Sequence, residues 1–133
     1  MKKVIAFVCI HNSCRSIIAE AWANELGEDV FEVYSAGTET YSGPKKLALE
    51  VMNDMNVDVS YTSSKLLKDI PEHLDILVTM GCGVECPYVP TKHREDWGLD
   101  DPSGGPKEAF EATRDIIREK VLNIINRVKK GEL

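Results

Sequence analysis

The chain has 133 residues, 43% of them hydrophobic and 29% charged, with a formal net charge of -6. That length suits one domain with a core that needs no covalent staples, and the acidic balance without a long basic block argues against nucleic acid or an acidic membrane as partner. No apolar run approaches the roughly 18 residues of a membrane span, and the short apolar stretch after Met1-Lys2-Lys3 has no small-residue cleavage site behind it, so a cytoplasmic domain off the membrane is expected.

In chain order, Val4 to Val8 reads as a short buried strand. It runs into Cys9-Ile10-His11-Asn12-Ser13-Cys14-Arg15-Ser16, after which Ile17 to Leu26 carries helix formers with charges spaced for one exposed face. Phe31 to Ser35 is a second strand, and Ser35-Ala36-Gly37 reads as the turn that ends it. Pro44 to Met55 reads as a helix with Pro44 at a tolerated first-turn position. Val57 to Tyr61 is expected to be a short extra strand, Ser63 to Asp69 a short helix or loop, and Leu74 to Met80 another buried strand. Gly81 to Gly105, rich in Gly, Pro and Cys, is the one long irregular stretch, and long loops in compact domains tend to be functional. Phe110, Thr113, Ile117, Val121, Ile124 and Val128 recur at three and four residues and mark the buried stripe of a long closing helix, a core feature and not a cofactor site. The alternation predicts an α/β fold with a parallel sheet, a single domain over 1–133 without repeats or linker.

The chemistry concentrates where the first strand meets the first helix. A short loop entering a helix turns several backbone N–H groups toward one point, where the positive end of the helix dipole favours a tetrahedral oxyanion and a thiolate at Cys9. Arg15 stands just past the loop, able to fold back and grip two anion oxygens with its planar fork. Asn12 suits such a nest because Asn tolerates left-handed backbone. The Cys-x5-Arg spacing is weak by itself; its strand–loop–helix setting is what gives it meaning.

Cys82 and Cys86 follow the strand that ends at Met80, and parallel strands would bring both to the sheet edge that carries Cys9. Disulfides need Cα atoms about 4.4 to 6.8 Å apart, so Cys9 and Cys82 meet only if the late loop approaches, whereas Cys82 and Cys86 can close across one helical turn. Three thiols within successive reach would pass oxidation from a buried nucleophile to a surface pair open to a protein reductant. Zinc is disfavoured by the Cys9-to-Cys14 and Cys82-to-Cys86 spacings, and static disulfides by a cytosolic address. Cys14 is equally readable as a loop thiol or as a small packed side chain, and His11, His73 and His93 read as structural or solvent-facing. Asp101, followed by Pro102 on a late turn, is a candidate proton donor to a leaving oxygen, with Asp100 as the fallback and a helix-capping turn as the bland alternative.

Cys9 to Ser16 with Ala19-Glu20, Ser35-Ala36-Gly37, Val78-Thr79-Met80-Gly81-Cys82, Cys86-Pro87, Trp97 and Asp101-Pro102 together resemble the low-molecular-weight tyrosine-phosphatase fold, and specifically its arsenate reductase branch. The resemblance runs in order along nearly the whole chain. The paired late cysteines belong to the reductases, and Ser103-Gly104 stand where phosphatases place tandem tyrosines. It implies a four-stranded parallel sheet flanked by helices. It also implies an anion loop formed by Ile10, His11, Asn12, Ser13, Cys14, Arg15 and Ser16, and a catalytic set of Cys9, Arg15, Asp101, Cys82 and Cys86. Some relatives bind potassium through residues that match Asn12, Glu20 and Ser35 and an Asp where this chain has Ser64, followed by Lys65; with that carboxylate gone, no metal is expected here.

By this resemblance the chain is expected to reduce arsenate to arsenite for arsenic detoxification, as a monomer with no bound cofactor and electrons from an external thiol. Thioredoxin is the expected reductant, with glutaredoxin or a low-molecular-weight thiol as the alternative, because thioredoxin-coupled relatives often space the two late cysteines more widely than Cys82 and Cys86. Two rivals keep the same loop: a phosphatase acting on phosphotyrosine or small phosphate esters, which has no use for Cys82, and a non-enzymatic thiol sensor of metalloids, which takes up its ligand without turnover.

Overall fold

The computed structural model of the chain describes residues 2–10, 12, 14–39, 43–81 and 90–133. Four strands form one parallel sheet in the order β2-β1-β3-β4: β1 (Lys3–Cys9), β2 (Phe31–Gly37), β3 (Leu74–Thr79) and β4 (Thr91–Asp96). Helices α1 (Arg15–Gly27), α2 (Lys46–Asn53) and α3 (Lys107–Lys129) complete the α/β architecture expected from the sequence. The central strand is apolar on both faces, as parallel strands covered on both sides must be. Ile5, Phe7 and Cys9 enter a large core with Ile18, Trp22, Met52, Ile117 and Ile124 from the three helices, while Ala6 and Val8 face a smaller cluster with Leu74, Leu77 and Ile70.

β1 pairs with β2 on one side and β3 on the other, so the chain leaves β1 in one direction and later returns to the opposite side of it. In open parallel sheets this reversal opens a crevice beyond the carboxyl ends of the strands, where ligands bind. Cys9 ends β1 at that crevice, and Met80-Gly81 leave β3 beside it.

Several expectations change. Val57 to Tyr61 is not a strand: Val57 and Val59 are buried in the helical core, and the segment turns through a Thr62 N–H to Val59 carbonyl bond. Apolar alternation there records side chains dropping into the core from an irregular segment. Ser35-Ala36-Gly37 does not turn but continues β2, pairing Ser35 with Phe7 and Gly37 with Cys9. Pro44 lies outside α2, whose N-cap is Lys45. The stretch from Gly81 contains β4, whose Thr-Lys-His-Arg-Glu-Asp sequence carries no apolar period because, among the described residues, it is an edge strand bonded to β3. Charged edge strands of this kind resist pairing with other chains. Ser63 to Asp69 is a loop with a short 3-10 turn at Leu67–Asp69, as expected.

α1 departs from an ordinary surface helix. Ten of its thirteen residues are buried, because it packs on β1 and β2 and is covered by α3 and α2. Glu20, read from sequence as part of an exposed face, turns inward and is 5% exposed.

Candidate active site

Cys9 is the last residue of β1 and is buried, with its Sγ 2.9 Å from Ser16 Oγ. Ser16 Oγ also receives a 2.8 Å hydrogen bond from Asn12 Nδ2. Asn12 has φ +52, the left-handed conformation anticipated for a tight anion nest, and is fully buried. Cys14 is the N-cap of α1 and makes no side-chain capping hydrogen bond, so the first-turn amides of α1 lack that internal acceptor at the end where the helix dipole is positive.

Arg15 opens α1 and is 6% exposed. Its Nη1 donates to the carbonyls of Met80, at 2.9 Å, and Leu99, at 2.8 Å. Its Nη2 lies 3.7 Å from Asp101 Oδ2. Sequence reasoning anticipated the guanidinium but not the carbonyl pair that holds it; backbone acceptors leave no trace in residue identity.

Asp101 is half exposed and is the member of the Asp100-Asp101 pair that reaches Arg15. Burial pushes its carboxyl up, but hydrogen bonds from the Ser103 backbone and side chain, with Arg15 and Lys45 nearby, outweigh it and hold Asp101 below the usual carboxylate range. Asp101 is therefore ionised at neutral pH. A bound oxyanion adds negative charge beside it and favours its protonation.

The Cys14 thiol is pushed up to about 12, first by burial and then by the negative charge of Asp101 and of Cys9, against the opposing pull of Arg15 and Ser103. It is a protonated packed side chain at neutral pH, which favours the second of its two readings. Ile10 is half-buried, its carbonyl accepting from the Glu39 N–H, and Ser16 faces Cys9. His11, Ser13, Cys82 and Cys86 lie outside the described residues.

The segment that leads to Cys82 is anchored from β4. Asp96 Oδ1 accepts from Gly81 N and from Thr79 Oγ1, both at 2.7 Å. Gly81 has φ +77, and a Cβ there would come within 2.5 Å of Gly98 Cα. The chain thus leaves β3 through a site only glycine fits, pressed against the loop that carries Leu99 and Asp101. Sequence reasoning missed Asp96, although an Asp closing a polar strand near a Gly turn is a signal that could have been read.

Ser35 and Glu20 meet, and Lys65 links them to Asn12, its ammonium lying near Glu20 and its backbone N–H bonding Asn12. Ser35 Oγ donates to Glu20 Oε1 at 2.8 Å, and Lys65 Nζ lies 3.9 Å from Glu20 Oε2. Asn12 Oδ1 is taken by the Lys65 N–H at 2.8 Å. A lysine ammonium fixed beside Glu20 takes the place a potassium ion would need at that carboxylate.

The chain matches the family model for low molecular weight phosphotyrosine protein phosphatase over residues 4–132, and it belongs to that family. It is similar to an arsenate reductase of Staphylococcus aureus (strain Newman), 40% identical over 130 residues that cover 95% of this chain and 98% of the relative. A solved arsenate reductase in the phosphate-binding state superposes with a TM-score of 0.87 at 35% identity, covering 96% of this chain and 98% of that one. A thioredoxin-dependent arsenate reductase of Corynebacterium glutamicum gives a TM-score of 0.73 at 32% identity, over 94% of this chain and 62% of that one.

Proposed function

We propose that the chain reduces arsenate to arsenite, with Cys9 as nucleophile and Cys82 and Cys86 as the thiols that release and reset it. The observation that carries this reading over the phosphatase alternative is the likeness to arsenate reductases along almost their full length, in a chain that keeps two late cysteines behind an anion site. Arsenate sits against the first-turn amides of α1 and the Arg15 edge not committed to Met80 and Leu99. The Cys9 thiolate forms a sulfur–arsenic bond while one oxygen leaves as water, its proton delivered through Asp101, which gains proton affinity once the anion is bound. Cys82 thiolate then attacks Cys9 Sγ. The sulfur–sulfur bond forms as the sulfur–arsenic bond breaks, and its electron pair reduces As(V) to As(III). Cys86 attacks Cys82, freeing Cys9 and leaving a Cys82–Cys86 disulfide for an external dithiol. Two electrons pass from two thiols to arsenic, so no bound redox cofactor is needed.

Thioredoxin is the proposed reductant, supported by the likeness to the thioredoxin-dependent relative. Arsenate-dependent NADPH consumption, run with thioredoxin and thioredoxin reductase and in parallel with glutathione and glutaredoxin, tests the reading. The expected result is arsenite formed one for one with NADPH in the thioredoxin arm. Arsenate that consumes no reductant in either arm, while a phosphate ester is turned over, would transfer the assignment to the phosphatase.

A further inference from the structure

Glu20 is a buried carboxylate on a helix interior, next to the nucleophile loop and distant in role from any step above. Burial pushes its carboxyl up, and the Lys65 charge and the Ser35 hydroxyl offset that in part, leaving it above the usual carboxylate range. An isolated ionised carboxylate there would be costly, so what neutralises it is decisive. The Lys65 ammonium is itself only 26% exposed and is tied back by a 2.8 Å hydrogen bond to the Ser63 carbonyl, so the pair is less screened by salt than a surface one.

The same short segment clasps Asn12 from two sides. Ser64 Oγ donates to the Asn12 carbonyl and Lys65 N donates to Asn12 Oδ1, each at 2.8 Å. With its carbonyl and side-chain oxygen both held, Asn12 has only its Nδ2 to aim, and that group bonds Ser16 Oγ, the neighbour of Cys9 Sγ. An unbroken chain of contacts therefore runs from Glu20 through Lys65 and Asn12 to the nucleophile.

We propose that Lys65 is the built-in cation of this site, a positioning residue whose ammonium neutralises Glu20 while its backbone holds Asn12 in the conformation that delivers Ser16 to Cys9. A side-chain ammonium thus takes the role a bound monovalent cation would otherwise fill. The proposal rests on Cys9 as the nucleophile but not on arsenate as its substrate.

The test compares wild type, Lys65→Gln and Lys65→Arg at constant ionic strength in potassium chloride and in choline chloride. It reads the rate of iodoacetamide alkylation at Cys9 by mass spectrometry and, separately, arsenate turnover. Wild type should be indifferent to the choice of cation. Lys65→Gln in choline chloride should fall by about tenfold in both rates, as expected when a buried charge loses its partner, and potassium should restore most of the loss. Lys65→Arg should stay near wild type in both salts. Wild-type rates for Lys65→Gln in choline chloride would overturn the proposal, and so would a loss that neither potassium nor Arg repairs, since that marks a merely structural residue. Should wild type fail to reduce arsenate while the alkylation pattern holds, the substrate assignment falls and the Lys65 proposal stands.

Discussion

Arg15 shows how one side chain is divided between structure and chemistry. Nη1 is spent on the Met80 and Leu99 carbonyls, which fixes the guanidinium plane, and Nη2 looks toward Asp101. Lysine has its three donors at one point and cannot hold both carbonyls and still present a planar edge to an oxyanion. Arg15→Lys should therefore lower kcat/KM for arsenate by roughly 10² or more, with the fold retained by circular dichroism; equal activity would place Arg15 away from the anion. Asp101→Asn should slow the first single-turnover step by about 10² to 10⁴, and Asp100→Asn should leave it near wild type. The reverse pattern would move the acid by one residue. At this scale the placement of Cys9, Arg15 and Asp101 around one crevice was readable, because a strand–loop–helix junction and a late turn at the same sheet edge bring them together. The carbonyl anchors and the Lys65 clasp were not, because they depend on which distant segment comes alongside. Lys65 was visible in the sequence only as the neighbour of a missing carboxylate.

Among the elements, β3 and β4 matter most for where the chain leaves the sheet ahead of Cys82. Asp96 pins Gly81 and Thr79 together, and Gly81 is pressed against Gly98, so the chain enters the Cys82 segment at a fixed point and direction. Gly81→Ala should cost about 2 to 5 kcal/mol, combining a left-handed alanine with a backbone collision. Gly131→Ala is the control: Gly131 has the same φ of +77 but no atom within 4 Å of a new Cβ, so it should cost only the left-handed share, about 1 to 2 kcal/mol. Urea denaturation of the two variants separates the contributions, and equal costs would mean the Gly81–Gly98 approach carries no energy. The buried strands and the stripe of α3 were legible from apolar runs and helical spacing. β4 was hidden because an edge strand with charges on both faces has no hydrophobic period. The Val57 to Tyr61 misreading has the converse cause, since burial of Val57 and Val59 imitates a strand although the segment pairs with no strand among the described residues.

For the whole molecule, strand order is what turns scattered residues into one site. The reversal at β1 gathers the Cys9 loop, the end of β3 and the Leu99 to Asp101 turn at a single edge, although these segments are far apart in sequence. That edge was inferable from the alternating pattern, because parallel strands put all their carboxyl ends together. The central claim is that arsenic leaves Cys9 by thiol attack and not by water. It is tested most directly by adding one equivalent of arsenate to fully reduced Cys86→Ser protein in a Cys14→Ser background and reading crosslinks by mass spectrometry. The account predicts one arsenite released and an intramolecular disulfide between Cys9 and Cys82, with no second turnover. Cys9 and Cys82 both still reduced after the addition would contradict it.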